Sequence, residues 1–164
     1  MDPSRIRTIL LATVATGFLL AGAWVAAQQA GLGIASDLAG YFGWDRANVQ
    51  KSFIESAHPA AKDVYFNDLA SDAVRGGDRP FPDGSVIVKE VTSPDTLQVE
   101  VLTTMRKVDG FGPDQGDWQY GRWDRTEAGG FDGGWMPLDG AQGCVACHVS
   151  ASDDDFVFAD YLPD

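Results

Sequence analysis

The five residues Cys144-Val145-Ala146-Cys147-His148 are the part of this chain whose types and spacing point most directly to chemistry. Two cysteines three positions apart, with a histidine directly after the second, form the attachment signature of a c-type haem. The thiols, one helical turn apart, can each add to one vinyl group, and the adjacent imidazole can ligate the iron. These are the only two cysteines. The motif therefore predicts one covalently attached haem c, with His148 as the proximal ligand.

A structural zinc site and a thioredoxin-like dithiol are the alternatives for the same motif. A structural zinc ion takes about four ligands, but the only other histidine is His58 and there is no second cysteine pair. A redox dithiol is expected near the start of a helix that follows a strand. Cys144 and Cys147 instead lie close to the C-terminus among Gly and Asp. Haem attachment is therefore favoured over both.

The N-terminal segment is apolar over a length that can span a membrane. No charged residue lies between Arg7 and Asp37, and residues 6–27 are almost wholly apolar. About 22 helical residues extend roughly 33 Å, against a hydrocarbon core of about 30 Å. Small residues before Gln28 also fit a cleaved signal, but a signal core usually has roughly 7–15 apolar residues. We therefore expect residues 1–30 to form an uncleaved transmembrane anchor, with a signal peptide as the alternative.

The charges around this segment predict its orientation. Arg5 and Arg7 precede the apolar run, and positive flanking residues stay in the cytoplasm. The rest of the chain is then expected in the periplasm, held at a bacterial inner membrane. Because c-type haem is attached in that compartment, the topology and the cysteine motif agree.

The chain is strongly acidic, with 24 Asp and Glu against 12 Lys and Arg and a net charge of −12. Such a charge argues against a nucleic-acid partner, because phosphates repel it. It is compatible with a basic partner, but a surface that only keeps the protein soluble is the favoured interpretation, because net charge alone does not select a partner.

Hydrophobic periodicity predicts a mainly β, or α+β, fold in which a small antiparallel sheet and a few short helices carry the C-terminal haem. Residues 31–59 are expected to be a small-residue linker and a short helix starting at Asp45. Residues 60–164 are expected to be the haem domain. Its predicted strands are 62–67, 85–91, 97–105 and 118–124, with a helix after Asn67 that ends at Gly76-Gly77 and a loop over 129–134.

The segment Arg79-Pro80-Phe81-Pro82-Asp83-Gly84-Ser85-Val86-Ile87-Val88-Lys89-Glu90 resembles the signature strand of the cytochrome P-460 / cytochrome c′-beta family. The later motifs of the family follow in the same order. They are Met105-x-Lys107, Gly116-Asp117-Trp118, the haem motif and Asp155-Phe156-Val157-Phe158. The resemblance covers roughly residues 60–160 and leaves the apolar segment outside.

This resemblance implies an antiparallel β fold and a tendency to form homodimers. In cytochromes P-460, which oxidise hydroxylamine, a lysine of the signature strand is bonded to the haem macrocycle. The c′-beta branch lacks that bond and binds nitric oxide or other small gases at a five-coordinate iron. By its place in the motif Lys89 is the cross-linking candidate, and an unbonded lysine near the pocket or at its rim stays open. Asp139 is the nearest positional counterpart of a distal carboxylate that assists proton removal in these relatives, and a solvated loop aspartate is the favoured alternative for this residue.

The second axial position of the iron has several candidates. Met105 or Met136 can be a sixth ligand, although Met105 also continues an apolar strand face and is then a core residue. His58 is a weaker candidate. The aromatic residues Trp118, Tyr120, Trp123 and Trp135 are expected to pack against haem or core.

We expect a membrane-anchored monohaem c-type cytochrome with a redox or electron-transfer role. Its partner would be a larger membrane complex or a small electron carrier, because tethering raises the effective concentration beside a partner. Hydroxylamine oxidation and nitric oxide binding are the alternatives that use the same haem. An accessory structural subunit with an idle haem is the non-redox alternative.

Overall fold

A computed structural model describes residues 32–48, His58 and 61–158. Within these ranges the chain forms a six-stranded antiparallel sheet with two short α-helices and several turns of 3₁₀ helix. The strands are β1 (Asp45–Arg46), β2 (Ala61–Phe66), β3 (Val86–Thr92), β4 (Val99–Lys107), β5 (Trp118–Arg125) and β6 (Phe131–Trp135). The helices are α1 (Asp68–Gly76) and α2 (Gln142–His148). The predicted antiparallel, mainly β fold is thereby confirmed.

The sheet is a meander, in which each strand pairs with the next strand along the chain. Its register aligns Phe66, Ile87, Met105 and Tyr120 across β2 to β5. Directly paired residues project from the same face of a sheet. These four side chains therefore share one face, which we call the cavity face.

The two faces of the sheet are covered by different parts of the chain. On the cavity face, the buried cluster includes Ala70 and Ala73 of α1 and Val157 of the C-terminal segment. On the opposite face, Leu38 and Tyr41, which precede β1 in the chain, complete a second cluster. Because both faces are covered, the strands are buried on two sides rather than one.

Helix α1 has the boundaries that its capping residues predict. The Asn67 side chain accepts a hydrogen bond from Ala70 N at 3.1 Å, as an N-cap residue does. Gly77 ends the helix in the left-handed conformation, with φ 71°, which glycine adopts without a steric cost. The sequence prediction for this helix is confirmed.

Strand β4 is shorter at its start than its periodicity predicted. Leu97, expected to begin the strand, lies in the preceding turn with φ 57° and 77% exposure. Within the strand, Leu102 and Thr104 are almost completely buried. Thr103 and Met105 line the cavity, whereas Val99, beyond a register shift in the pairing with β3, packs against the cluster on the opposite face.

Strand β6 corrects the prediction of a loop over residues 129–134. Residues Phe131–Trp135 pair with β5 along their whole length. Two glycines in the middle of the strand hide its alternation in the sequence. At Gly133 a Cβ atom would lie 2.0 Å from the Arg122 carbonyl oxygen, so the close approach of the two strands requires the missing side chain.

The segment before β2 joins the fold more closely than its prediction as a linker implied. Asp45 was expected to start a helix, but Asp45 and Arg46 form β1 and pair with β2. Further back, Asp37 accepts a hydrogen bond from Arg106 at 2.7 Å. Residues 49–57 of the predicted helix and residues 1–30 of the predicted anchor lie outside the described residues. Within the described ranges no helix is both long and apolar enough to cross a membrane.

Candidate haem site

A cavity of about 380 Å³ lies against the cavity face of the sheet. Its volume is in the range of sites that hold small molecules and cofactors. The apolar side chains that line it include Val64, Phe66, Ile87, Met105, Val157 and Phe158. Such a lining favours a largely apolar ligand over a hydrated ion.

Helix α2 brings all three chemistry-bearing residues of the motif to this cavity. Cys144, Cys147 and His148 all line it, and the two thiols are free. Gly140 and Gly143 line it as well, and the lack of side chains there lets the backbone approach a ligand closely. The spacing predicted from the sequence thus corresponds to one face of a real helix.

The His148 imidazole is oriented by a backbone carbonyl. Its Nδ1 lies 2.7 Å from the Phe156 carbonyl oxygen. Because a carbonyl oxygen can only accept, Nδ1 carries the proton and the lone pair of Nε2 stays available to a metal. Burial lowers the pKa of His148, with the Phe156 carbonyl acting in the opposite direction and the charge of Lys89 adding to the decrease. The imidazole is therefore held neutral, which is the form that ligates iron.

Two aromatic rings fix the plane of this imidazole. The Tyr120 ring lies 5.2 Å from it and the Phe158 ring 5.1 Å, both edge-on. This T-shaped geometry is the one aromatic rings prefer. His148 is thus held by a hydrogen bond and by packing before any ligand is bound.

Lys89 lies on β3 between Val64 and Thr103 of the neighbouring strands and lines the cavity. Burial, and then the charge of Lys62, lower its pKa to about 8, while Cys147 acts in the opposite direction. A lower pKa raises the share of neutral amine near neutral pH. The signature-strand lysine is therefore in the same cavity as the haem motif.

Residues 39–159 match the Cytochrome P460 family. The chain belongs to the cytochrome P460 family. No curated protein matches the chain. The family match starts at residue 39, before the range of roughly 60–160 over which the motifs indicated a resemblance, and thus includes β1, the strand that the sequence prediction missed. Membership implies a haem cofactor for this cytochrome P460 homologue.

The residues of the cavity fit such a group. Two free thiols one turn apart and an imidazole with an available Nε2 lone pair supply covalent attachment and one axial ligand. The Tyr120 hydroxyl is buried at the cavity and has no hydrogen-bond partner among the described residues, so a polar group of a ligand can satisfy it. No cluster of three or more His, Cys, Asp or Glu in the described ranges can hold a metal ion by side chains alone. That finding disfavours the zinc alternative there.

The candidates for the other axial position also line the cavity. Met105 is a buried core residue as well as a lining residue, and Met136 is half-buried beside it. His58 lines the same space, and burial followed by the charge of Lys89 lowers its pKa to about 4. The structure therefore keeps all three candidates within the site of this family member.

Asp139 is the predicted site residue that the structure does not bring to the cavity. It lies exposed in a 3₁₀ turn, Leu138–Ala141, and does not line the cavity. Its proposed part in proton removal stays a prediction. The aromatic residues behave as expected, because Trp118 and Trp123 are fully buried and Trp135 packs on Trp123 at 5.3 Å.

Sequence reasoning missed two features of the site in this family member. Arg122 lines the cavity and forms an ion pair with Asp124 at 2.6 Å. Lys107 and Asp155 form a buried ion pair at 2.6 Å, and Asp155 lies two positions before Val157, which lines the cavity. The family motifs contain both residues of the second pair, but nothing in the sequence indicates that they meet.

Proposed function

We propose that this member of the cytochrome P460 family is a monohaem c-type cytochrome that transfers electrons. The observation that carries the proposal is the placement of Cys144, Cys147 and His148 around one largely apolar cavity. A bound haem would supply a one-electron ferric/ferrous couple there. The chain contributes the thioether sulfurs, the axial imidazole and an apolar lining that limits the access of water.

The exposure of α2 supports the transfer of electrons to a partner. None of its residues is fully buried, and Cys147 is exposed. A haem attached at Cys147 therefore has an edge close to the protein surface. The net charge of −12 favours a partner with a basic docking surface.

The proposal includes a tether. The apolar residues 6–27 support an anchor in a bacterial inner membrane, with the haem domain in the periplasm. A tether would hold the cytochrome beside a membrane complex or a carrier that visits it. A homodimer of haem domains is the further expectation from family resemblance.

The test is expression of the full chain with c-type haem maturation, followed by acid–acetone extraction and optical spectroscopy. We expect haem that resists extraction and gives an ordinary c-type spectrum. The haem iron should be reduced and reoxidised reversibly. Cys144→Ser/Cys147→Ser should release the haem on extraction. A chain that acquires no haem, or whose haem is extracted without these substitutions, would contradict the proposal.

Hydroxylamine oxidation is the second candidate function, and the position of Lys89 favours it. Lys89 lies in the cavity with a pKa near 8, so a substantial share of its amine is neutral and nucleophilic at mildly alkaline pH. A bond to the macrocycle should give a red-shifted Soret band that reverts in Lys89→Met. A six-coordinate c-type spectrum that is identical in the Lys89→Met chain would exclude this candidate.

A further inference from the structure

We propose that the buried ion pair between Lys107 and Asp155 is a positioning device for the proximal histidine. It holds the turn at Asp155-Phe156 so that the Phe156 carbonyl stays bonded to His148, and through that bond it sets the donor strength of Nε2. The effect on iron rests on the proposed function. The effect on the imidazole itself does not.

The ion pair joins the end of β4 to the C-terminal segment. Lys107 Nζ donates to both carboxylate oxygens of Asp155, at 2.7 and 2.6 Å. The side chains are only 9% and 8% exposed. Because both side chains are largely shielded from water, breaking the contact would leave each charge buried without a counter-ion, which is energetically costly.

Asp155 is held by its backbone and its carboxylate together. Its Oδ2 also accepts from Phe81 N at 2.8 Å, and its carbonyl accepts from Trp118 Nε1 at 2.8 Å. Lys107 Nζ lies 5.1 Å from the centre of the Trp118 ring, within the range of a cation–π contact. Three donor groups from three different parts of the chain thus meet at one residue.

The turn that these contacts hold is unfavourable by itself. Asp155 and Phe156 have φ angles of 54° and 64°, a left-handed conformation that residues with a Cβ rarely adopt. Two such residues in succession require outside contacts to keep them there. Backbone bonds from Asp155 N to Ser152 O and from Phe156 N to Ala151 O close the turn locally. The Asp155 contacts described above are those that fasten it to the rest of the fold, and the next carbonyl, that of Phe156, is the acceptor for His148.

The consequence concerns the electronic character of the histidine. A hydrogen bond from Nδ1 to a carbonyl raises the basicity of the ligating nitrogen and fixes its tautomer. A stronger donor stabilises ferric iron relative to ferrous iron. Loosening the turn should therefore shift the couple toward the ferrous form without any change in the residues that touch the haem.

The test uses the double variant Lys107→Met/Asp155→Asn in the haem-loaded full chain. This variant removes both charges together, so neither charge is left buried without its partner. We expect the ferrous-to-ferric ratio at a fixed ambient potential to rise about tenfold, which corresponds to 59 mV for a one-electron couple. Lys107→Arg keeps the positive charge, so its reduction potential should equal that of the unaltered chain. An unchanged potential in the double variant would overturn the proposal.

Leu102→Ala is the matched control for loss of stability. Leu102 is fully buried on the opposite face of the sheet, so its truncation weakens the fold without touching the turn. The potential of this variant should equal that of the unaltered chain. An equal shift in Leu102→Ala and in the double variant would show that the ion pair acts only through stability, and would overturn the proposal.

A second measurement keeps this proposal separate from the proposed function. The chain has two histidines, so nitrogen NMR of the haem-free full chain can resolve the tautomer of His148. We expect Nδ1 to be protonated in the unaltered chain and the two tautomers to mix in the double variant. If no haem is attached to any variant, the proposed function fails, yet this measurement still decides the positioning role. The same tautomer in both chains would overturn it.

Discussion

The chemistry of His148 is determined by its neighbours more than by its own type. A carbonyl fixes the proton on Nδ1, two aromatic rings fix the plane, and burial lowers the pKa. Together they present a neutral imidazole with one available lone pair. A histidine with the same sequence neighbours but in open solvent would have none of these constraints.

His148→Gln should separate attachment from ligation. The thioether bonds need only the two cysteines, so haem should stay bound through acid–acetone extraction. Loss of the axial imidazole should shift the Soret band and change the spin state of the ferric protein.

His58→Gln is the control for this change, because His58 lines the same cavity on a different part of the chain. If His148→Gln left the spectrum unaltered and His58→Gln instead shifted the Soret band and changed the spin state, the assignment of the proximal ligand would be wrong.

Lys89 should make the stability of the haem-free chain depend on alkaline pH. Its pKa is about 8 in the fold against 10.5 as the reference value. Between these values the unfolded chain binds more protons than the folded chain, so the free energy of unfolding rises with pH. Lys89→Met removes this contribution.

The measurement is chemical denaturation of both chains from pH 7.5 to 10.5. The stability of the unaltered chain minus that of Lys89→Met should increase between about pH 8 and pH 10.5. A difference that stays constant across this range would show that Lys89 has an ordinary pKa.

Some residues of the site could be predicted from the sequence and others could not. Cys144, Cys147 and His148 lie within one helical turn, so their spacing alone places them together. Lys89 could be placed in the cavity only through its family motif. Lys107 and Asp155 are 48 positions apart, and no local pattern predicts which distant lysine a buried aspartate will meet.

Among the elements, those with local signals were predicted well and those that depend on a neighbour were not. Helix α1 has its own cap residues at both ends. Strand β1 has two residues, and strand β6 has two glycines in its middle. Both exist because another strand pairs with them, which is a tertiary effect that outweighs local propensity.

Asn67→Ala should weaken the junction between α1 and β3. The Asn67 side chain accepts from Ala70 N and Val86 N and donates to Gly84 O. Loss of these bonds should cost about 2–3 kcal/mol in the free energy of unfolding, more than a cap alone.

Asn67→Asp is the control, because it keeps the acceptor oxygen and loses only the bond to Gly84. Urea denaturation should place its stability between those of the other two chains. Equal stability of Asn67→Ala and the unaltered chain would contradict the role assigned to this side chain.

Gly133→Ala should disrupt the pairing of β5 and β6. The φ angle of Gly133 is 152°, and an added Cβ would lie 2.0 Å from the Arg122 carbonyl oxygen. The backbone conformation alone costs about 1–3 kcal/mol for a residue with a side chain, and the clash adds to it.

Gly134→Ala is a matched control, since a Cβ at Gly134 meets nothing within 4 Å. Thermal unfolding should show a clear loss for Gly133→Ala and little change for Gly134→Ala. The reverse order would mean that β6 does not pair in this register.

At the scale of the whole molecule, different segments of the chain pack on the two faces of the sheet. One face carries the cavity and α2, and the other carries the N-terminal segment with Leu38 and Tyr41. Residues 34–41, near the start of the part of the chain that the structure describes, thus lie on the face opposite the candidate haem site. A tether attached there would leave α2 accessible to a redox partner.

Replacing residues 1–30 by a cleavable secretory signal tests the anchor as a separate element. We expect the haem domain to be exported, to acquire haem with an unaltered spectrum and to be recovered in the soluble fraction. The full chain should be recovered with the membranes. A full chain whose mature N-terminus is Gln28 would show that the segment is a signal peptide.

The sequential order of the strands has a consequence for how the protein matures. If the chain is exported as proposed, it emerges from its N-terminal end, and each strand of a meander then finds its partner already present. The sheet can therefore be complete before the cysteines of α2 emerge. The enzymes that attach the haem would then bind a short exposed helix beside an already folded sheet. Haem attachment would therefore be the last step of folding and would not nucleate it.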